Sequence, residues 1–457
     1  MEKKQYIKPT IVRHTVGVLN KFGRPPAAVP MNRIEGYDVK ELVDKYGSPL
    51  FVLSVPSLRN LYRDLDRAFR SRYPKFQISY SYKTNYLKAV CSILHQEGAW
   101  AEVVSGFEYD IARDIGVPGN HIVFNGPYKT KEELRKAFVD NAIVNIDNYD
   151  ELQVIEEIAA EMGKTLEVGI RVNMNLNDPP WYKFGFNIES GQAFEAVKRT
   201  MSGGKLKVVG LHFHGGTYID DVNIYSAAAQ GLVNFYVYIK EQLGVTLKYW
   251  DMGGGFATRN TLHWAYLPGE QTCPTFDQYA EAVCPILMNG PFLPDQLPKL
   301  FIEPGRSLVD EPISLITTIV AQKRLPQGLR AVVLDTGMNM LSSTRWYRYN
   351  LQTAQDSGTM LENTVVYGGL CMNIDVVNES VSLPPVRRGD VLVLPYVGAY
   401  NLSQSLQFIF LRPAVVAIND GTVQVIKKAE TREYVQDFEI LPDNFALMPK
   451  SGKTKTD

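Results

Sequence analysis

The feature that most constrains this chain is a train of eight short β-rich runs: QISYSYK (77–83), AWAEVVS (99–105), HIVFNG (121–126), AIVNID (142–147), EVGIRVN (167–173), VVGLHFH (208–214), KYWDMGG (248–254) and LFIEPG (300–305). Helical segments separate them. In SLRNLYRDLDRAFR and DELQVIEEIAAEM the apolar residues recur at the i, i+3, i+4, i+7 spacing of a crossover helix with one buried face. Eight strand–helix units in succession predict a closed parallel (β/α)8 barrel of the TIM type within an α/β chain.

After about residue 310 the texture changes. The runs ISLITTIVAQKR, RAVVLDTG, ENTVVYGG, DVLVLPYVG and RPAVVAIND lie between turn residues with no helical pattern among them, and predict a C-terminal, mostly antiparallel β domain. The expected organisation is an N-terminal extension over 1–34, ending in the breaker-rich GRPPAAVP, and a barrel over 35–310 whose first part can join the β domain. The β domain follows over 311–447, then a flexible tail over 448–457.

A formal net charge of −1, with no basic run interleaved with aromatics, argues against nucleic acid or an anionic membrane and for a small-molecule partner. Cys91, Cys273, Cys284 and Cys371 are scattered, without zinc-site pairing or disulfide density, which fits a reducing cytoplasm. No run has the length of a membrane span and no signal peptide is read at the N-terminus.

The chemically informative residues fall where the predicted strands end, the end at which such a barrel builds its site. Lys83 closes the first strand, where burial would lower its proton affinity and make it a nucleophile toward a carbonyl. His212 and His214 share one side of the sixth strand, with Gly215, Gly216 and Thr217 in the turn after it; a flat imidazole beside glycines suits a planar ligand. No carboxylate stands at ligand spacing from these histidines in the sequence, so no metal is expected. Gly253, Gly254 and Gly255 after the seventh strand allow backbone N–H groups to converge on an anion. Glu303 ends the eighth strand and needs a cationic partner, while Gly305 and Arg306 follow it, the arginine offering a fork for phosphate or carboxylate. Each residue alone also has a structural reading: a surface lysine, a core histidine, a tight turn, a Glu–Arg pair at a domain junction. In the β-rich half Arg345, Tyr349, Cys371, Asp375 and Tyr400 sit among glycine and turn residues, and Cys371 alone reads equally as a small buried apolar group.

Taken together and in order, SYSYKTN, HFHGGTY, DMGGGF, IEPGR, the Arg345 segment, GGLCMNID and GAYNLSQ resemble the alanine-racemase-type barrel family of pyridoxal-phosphate enzymes. Within it the chain is most similar to the branch of diaminopimelate, ornithine and arginine decarboxylases, over roughly residues 35–445. The resemblance implies pyridoxal 5′-phosphate held covalently by Lys83, stacked on His214 and protonated at its ring nitrogen opposite Glu303. Gly253, Gly254, Gly255 and Thr217 would surround its phosphate with Gly305, Arg306 nearby and Tyr400 reaching it from the second domain. Cys371 resembles the family's general acid. Substrate contacts would come from Arg306, Arg345, Tyr349, Met372 and Asp375, with Cys371 and Asp375 donated across the two-fold axis of a homodimer with shared sites. Where diaminopimelate decarboxylases read Cys-Glu-Ser-Gly-Asp, this chain reads Cys371-Met372-Asn373-Ile374-Asp375; methionine cannot hold an ammonium, which argues against meso-diaminopimelate and for another amino acid or an amino-acid conjugate, as in specialised metabolism. Racemisation on the same fold is the alternative activity, disfavoured because those enzymes place an arginine at the ring nitrogen; a non-catalytic binding relative is disfavoured by retention of Lys83, His214, Glu303 and Cys371.

Overall fold

The computed structural model describes residues 30–176, 181–326, 328–355, 360–445 and 447. Most of the expected N-terminal extension, residues 1–29, and the whole of the expected tail over 448–457 lie outside the described residues.

All eight runs are strands: Phe76–Ser81, Trp100–Val103, Ile122–Phe124, Ile143–Ile146, Leu166–Asn173, Leu206–Phe213, Tyr249–Asp251 and Lys299–Ile302. Each pairs in parallel with the next, and Lys299–Ile302 returns to Phe76–Ser81, so the sheet closes into a barrel. The helices form for the reasons their spacing gives. Val55–Arg70 starts on the Ser54 side chain, which accepts from the Ser57 N–H, and buries Leu58, Tyr62, Leu65 and Phe69 along one stripe. Tyr149–Met162 is capped by Asn148, stops at the left-handed Gly163, and buries Leu152, Ile155, Ile158 and Ala159. These faces and the inward strand residues make one large apolar core.

The second domain is mostly antiparallel, as expected. Its long strand Ile313–Arg324 pairs with Val391–Leu394 and Arg330–Leu334, and beyond the latter lie Glu362–Tyr367 and Val376–Leu383. Two pairs are parallel: Arg330–Leu334 with Glu362–Tyr367, and Leu50–Ser54 with Val415–Asn419. Leu50–Ser54, which precedes the barrel, is therefore a strand of this sheet, with Ile313–Arg324 on its other side. The helix Val39–Tyr46 packs Val39 and Leu42 into the same small core as Leu50, Val52, Ile316 and Val416. Among the described residues no helix is long and apolar enough to cross a membrane.

Candidate active site at the barrel mouth

Lys83 lies in a single 3-10 turn, Tyr82–Thr84, directly after the first barrel strand. Its ammonium sits 2.9 Å from Glu102 Oε2 on the second strand. Burial alone would lower its proton affinity, but Glu102, Tyr400 and Glu303 together hold it above the ordinary lysine value. The expectation of a desolvated, more readily deprotonated lysine is thus corrected: without the aldehyde, Lys83 is a paired cation.

The β domain locks the turn that carries it. The Tyr400 N–H and the Ser403 hydroxyl donate to Thr84 O at 2.8 and 3.1 Å, and Ser403 Oγ also donates to Lys83 O at 2.9 Å. Gly305 is required on the other side, since a Cβ there would stand 2.0 Å from Thr84 Oγ1.

His214 is fixed by the glycine turn. The Gly254 N–H donates to its Nδ1 at 3.0 Å, which leaves the ring proton on Nε2. Burial, with the charges of Lys83 and Arg171, holds the imidazole well below its usual range, so it is a neutral plate. The Trp181 ring stands 5.9 Å from it. Close approach dictates the triple glycine: a Cβ on Gly254 would lie 2.0 Å from Glu303 O, and one on Gly255 2.4 Å from Gly216 O. Gly253 and Gly255 also take positive φ.

Glu303 is buried at the end of the eighth strand, 3.3 Å from His212 Nε2, and accepts from Asn125 Nδ2. Burial would push its carboxyl up, but His212 and Lys83 hold it far below the usual range; its neighbour Asp251, buried and facing that charge, is pushed well above. His212, Asp251 and Glu303 bring donor atoms within 4.8 Å of one another. The view that no carboxylate stands near the histidines is therefore corrected for His212. We read the cluster as an ionised and a protonated acid flanking an imidazole.

Arg306 is walled by aromatic rings, its guanidinium 4.9 Å from the Tyr400 ring, 5.4 Å from Tyr347 and 5.9 Å from Tyr218. It donates to Thr217 Oγ1 at 3.1 Å and to the Tyr347 hydroxyl. Lys83, His214, Thr217, the three glycines, Glu303, Gly305, Arg306 and Tyr400 therefore all belong to the barrel mouth.

The β-domain residues do not all join them. Cys371 and Met372 lie exposed on a loop, and Arg345 is exposed at the end of the turn Ser342–Arg345. Tyr349 is fully buried, with its oxygen accepting from Asn401 Nδ2 at 2.8 Å. Asp375 is buried as well. Its carboxylate accepts from the Met338 and Leu370 N–H groups at 2.7 and 2.8 Å, which fixes the Cys371 loop. Sequence reasoning missed Glu102, Asn125, Asp251 and Tyr347. The first carried a signal, a carboxylate in the middle of the apolar run AWAEVVS.

The residues present fit pyridoxal phosphate: an amine for its aldehyde, a flat imidazole for its ring, an ionised carboxylate for its ring nitrogen, and glycine turns, kept clear of any Cβ, beside Thr217 and Arg306 for its phosphate.

Known proteins agree with this geometry. Residues 58–310 match the family model described as pyridoxal-dependent decarboxylase, pyridoxal binding domain. The chain is 32% identical to the diaminopimelate decarboxylase of Methanocaldococcus jannaschii, over 87% of this chain and 92% of that one. It is 28% identical to that of Bacillus subtilis, over 88% and 93%. The crystal structure of the M. jannaschii enzyme with L-lysine superposes with a TM-score of 0.83 at 30% identity, covering 92% of this chain and 99% of the other. A lysine/ornithine decarboxylase from Vibrio vulnificus, 24% identical with a TM-score of 0.71, shares the fold. With its barrel, its cofactor-fitting mouth and these likenesses in agreement, the chain belongs to the pyridoxal-dependent decarboxylases, carboxy-lyases of amino acids that use pyridoxal phosphate on an alanine-racemase-like barrel.

Proposed function

We propose that the chain releases carbon dioxide from the α-carbon of a small amino acid or amino-acid conjugate, with Lys83 as the covalent anchor of the cofactor. The observation that carries this reading is the convergence of Lys83, His214 and an ionised Glu303 at one barrel mouth, with Arg306 and Thr217 beside them. Bound there, pyridoxal phosphate withdraws electrons from the carbon losing its carboxylate. Glu303 holds a proton at the ring nitrogen. His214, kept neutral, presents its flat face to the ring, and Thr217, Arg306 and the Gly253–Gly255 turn hold the phosphate. Tyr400 closes the site from the β domain.

Cys371 delivers the proton that replaces the lost carboxylate, and it does so from a second copy of the chain. Its exposure supports this, as do the exposed apolar neighbours Met372, Ile374, Phe408, Ile409 and Phe410, a surface that a homodimer would cover. Phe410 lies against the same loop, its ring 3.3 Å from where a Cβ on Gly369 would stand.

The substrate reading rests on Met372, which offers no charge to an ammonium where the family's acid stands; meso-diaminopimelate is then not the natural substrate, and Arg345 is the residue left to meet a distal anion. Turnover of diaminopimelate itself is the second reading, favoured by the relatives that bear that name. Carbon dioxide release is measured from meso-diaminopimelate, lysine, ornithine, arginine and N-acylated diamino acids, with Lys83→Ala as control. Release that depends on Lys83 and favours another substrate is the expected result. Preference for meso-diaminopimelate overturns the substrate reading, and exchange at the α-carbon without release overturns decarboxylation.

A further inference from the structure

Beneath the barrel mouth runs a chain of hydrogen bonds that the cofactor site alone does not explain. The Tyr249 hydroxyl, on the seventh strand, donates to Asn145 Oδ1 at 2.7 Å. Asn145 Nδ2 donates to Asn125 Oδ1 at 2.8 Å. The Asn125 amide then spends its two hydrogens on two carboxylates, one on Glu102 Oε1 at 3.2 Å and one on Glu303 Oε1. All of these side chains are buried.

Every donor points the same way, toward the two acids. An amide has two hydrogens on one end and none on the other, so a flipped Asn125 would set its oxygen against both carboxylates. The acceptor-only carboxylates turn the Asn125 amide hydrogens toward them, so Asn125 Oδ1 faces Asn145 and takes its donation, and Asn145 Oδ1 is left to accept from Tyr249. The barrel is carved to house this relay. A Cβ on Gly210 would stand 2.0 Å from the Tyr249 ring, and one on Gly169 would stand 2.0 Å from Asn145 Oδ1 and 2.2 Å from the Tyr249 hydroxyl. Two strands thus give up a side chain so that a tyrosine can reach across the interior.

Glu102 and Glu303 face a common space, where two like charges disfavour each other. The charged and titratable groups around them include Lys83, His212, His214, Asp251, Arg171, Glu108 and Tyr249. Lys83 is the partner of Glu102 only while its amine is free, and on the proposed reading it is consumed by the cofactor. A neutral donor that serves both acids keeps them satisfied in either condition, and buried donor chains of this kind strengthen one another.

We infer that Asn125, hydrogen-bonded to Asn145 and through it to Tyr249, is a positioning residue that aims Glu303 at the cofactor's ring nitrogen while its second amide hydrogen holds Glu102 beside Lys83. The inference rests on the proposed role of Glu303.

The test uses holoenzyme: wild type, Asn125→Ala, Asn125→Asp and Tyr249→Phe, with the visible absorption of the bound cofactor followed as pH is raised. Loss of the donor raises the proton affinity of Glu303, so the spectral transition and the acidic limb of kcat should move together to higher pH, by about one unit, or tenfold in proton affinity, in Asn125→Ala. Asn125→Asp, which adds a third carboxylate, should move them further, and Tyr249→Phe, which only frees the far end, should move them less. KM should stay within about threefold throughout, because Asn125 touches no substrate. Tyr249→Phe, a deletion of one hydroxyl, keeps the test open if the Asn125 variants fold poorly. Spectra and kcat profiles of Asn125→Ala and Tyr249→Phe superimposable on wild type overturn the inference. Absence of carbon dioxide release from wild type brings down the functional reading instead, and leaves the spectral comparison able to judge Asn125.

Discussion

Lys83 Nζ and Glu102 Oε2 stand 2.9 Å apart, an ion pair across the ends of the first two barrel strands. Glu102 is nearly inaccessible, and its Oε2 also accepts from Ser81 Oγ at 2.6 Å, so the acid is held from two sides while the lysine alone remains free to leave. Lys83 is held as a cation, and on the proposed role it must lose a proton before it can attack an aldehyde.

Glu102→Gln should therefore ease capture of the cofactor. Removing the negative charge lowers the proton affinity of Lys83, so the neutral amine appears at lower pH. The rate at which cofactor-free protein develops the visible band of bound pyridoxal phosphate, followed against pH, should show its midpoint displaced downward. An unmoved midpoint would mean that the ion pair does not control the amine.

Gly254→Ala should cost both stability and cofactor. Its Cβ would stand 2.0 Å from the backbone oxygen of Glu303, which has no rotamer by which to yield. Forced overpacking of this sort costs about 1–3 kcal/mol. Thermal melting should show a lowered Tm, and the cofactor Kd should rise because the same turn holds His214. Wild-type values for both would show that the strand ends can separate.

Mixing Lys83→Ala and Cys371→Ala proteins should restore activity that neither has alone. If each site takes its lysine from one copy and its cysteine from the other, random exchange leaves half the dimers mixed, each with one intact site of two, or about a quarter of wild-type turnover. No recovery after confirmed subunit exchange would place both residues in one chain's site.

Glu108 should make stability depend on pH in the direction opposite to a surface carboxylate. Burial raises its carboxyl to about 7, against a donation from the Val104 N–H at 2.8 Å that lowers it. Its folded-state value lies above its unfolded one, so the native state holds the proton longer. Stability from this group is full below pH 4.5 and falls as pH rises toward 7, by up to about 3 kcal/mol. Denaturant midpoints measured across that window should flatten in Glu108→Gln. An equal slope in both proteins would assign the dependence elsewhere.

The barrel is legible in the sequence because eight β-rich runs alternate with crossover helices that keep an apolar stripe, as Leu58, Tyr62, Leu65 and Phe69 do. The site is legible where a residue stands at a strand terminus, as Lys83, His214 and Glu303 do. It is not legible where a role depends on who else arrives. Asp375 stands where a substrate contact is expected, but its carboxylate is taken by the amides of Met338 and Leu370, from two different segments. Tyr347 and Tyr349 alternate on one short segment; the first reaches Arg306 and the second is buried against Asn401, a distinction no spacing reveals. Glu102 sits within a strand rather than beyond it, where apolar neighbours disguise it, and Asn125, just past Ile122–Phe124, is an uncharged amide whose role depends on the two acids it meets. Leu50–Ser54 falls in the first part of the 35–310 region, which the sequence allows to join the β domain, but its two partners lie beyond the barrel in sequence and no spacing names them.

That last strand sets a timetable for synthesis. Leu50–Ser54 is made early, but its neighbours Ile313–Arg324 and Val415–Asn419 leave the ribosome only after every barrel unit has done so. Until then a fully buried stretch of the finished protein is an open, apolar edge, the kind of segment that recruits the wrong neighbour. The barrel can assemble from near-sequential contacts, whereas the sheet beside it waits on contacts spanning most of the chain, and these are slow to form. The Tyr400 and Ser403 bonds that lock the Lys83 turn arrive with the later half, so that turn is set in place only when the chain is nearly complete.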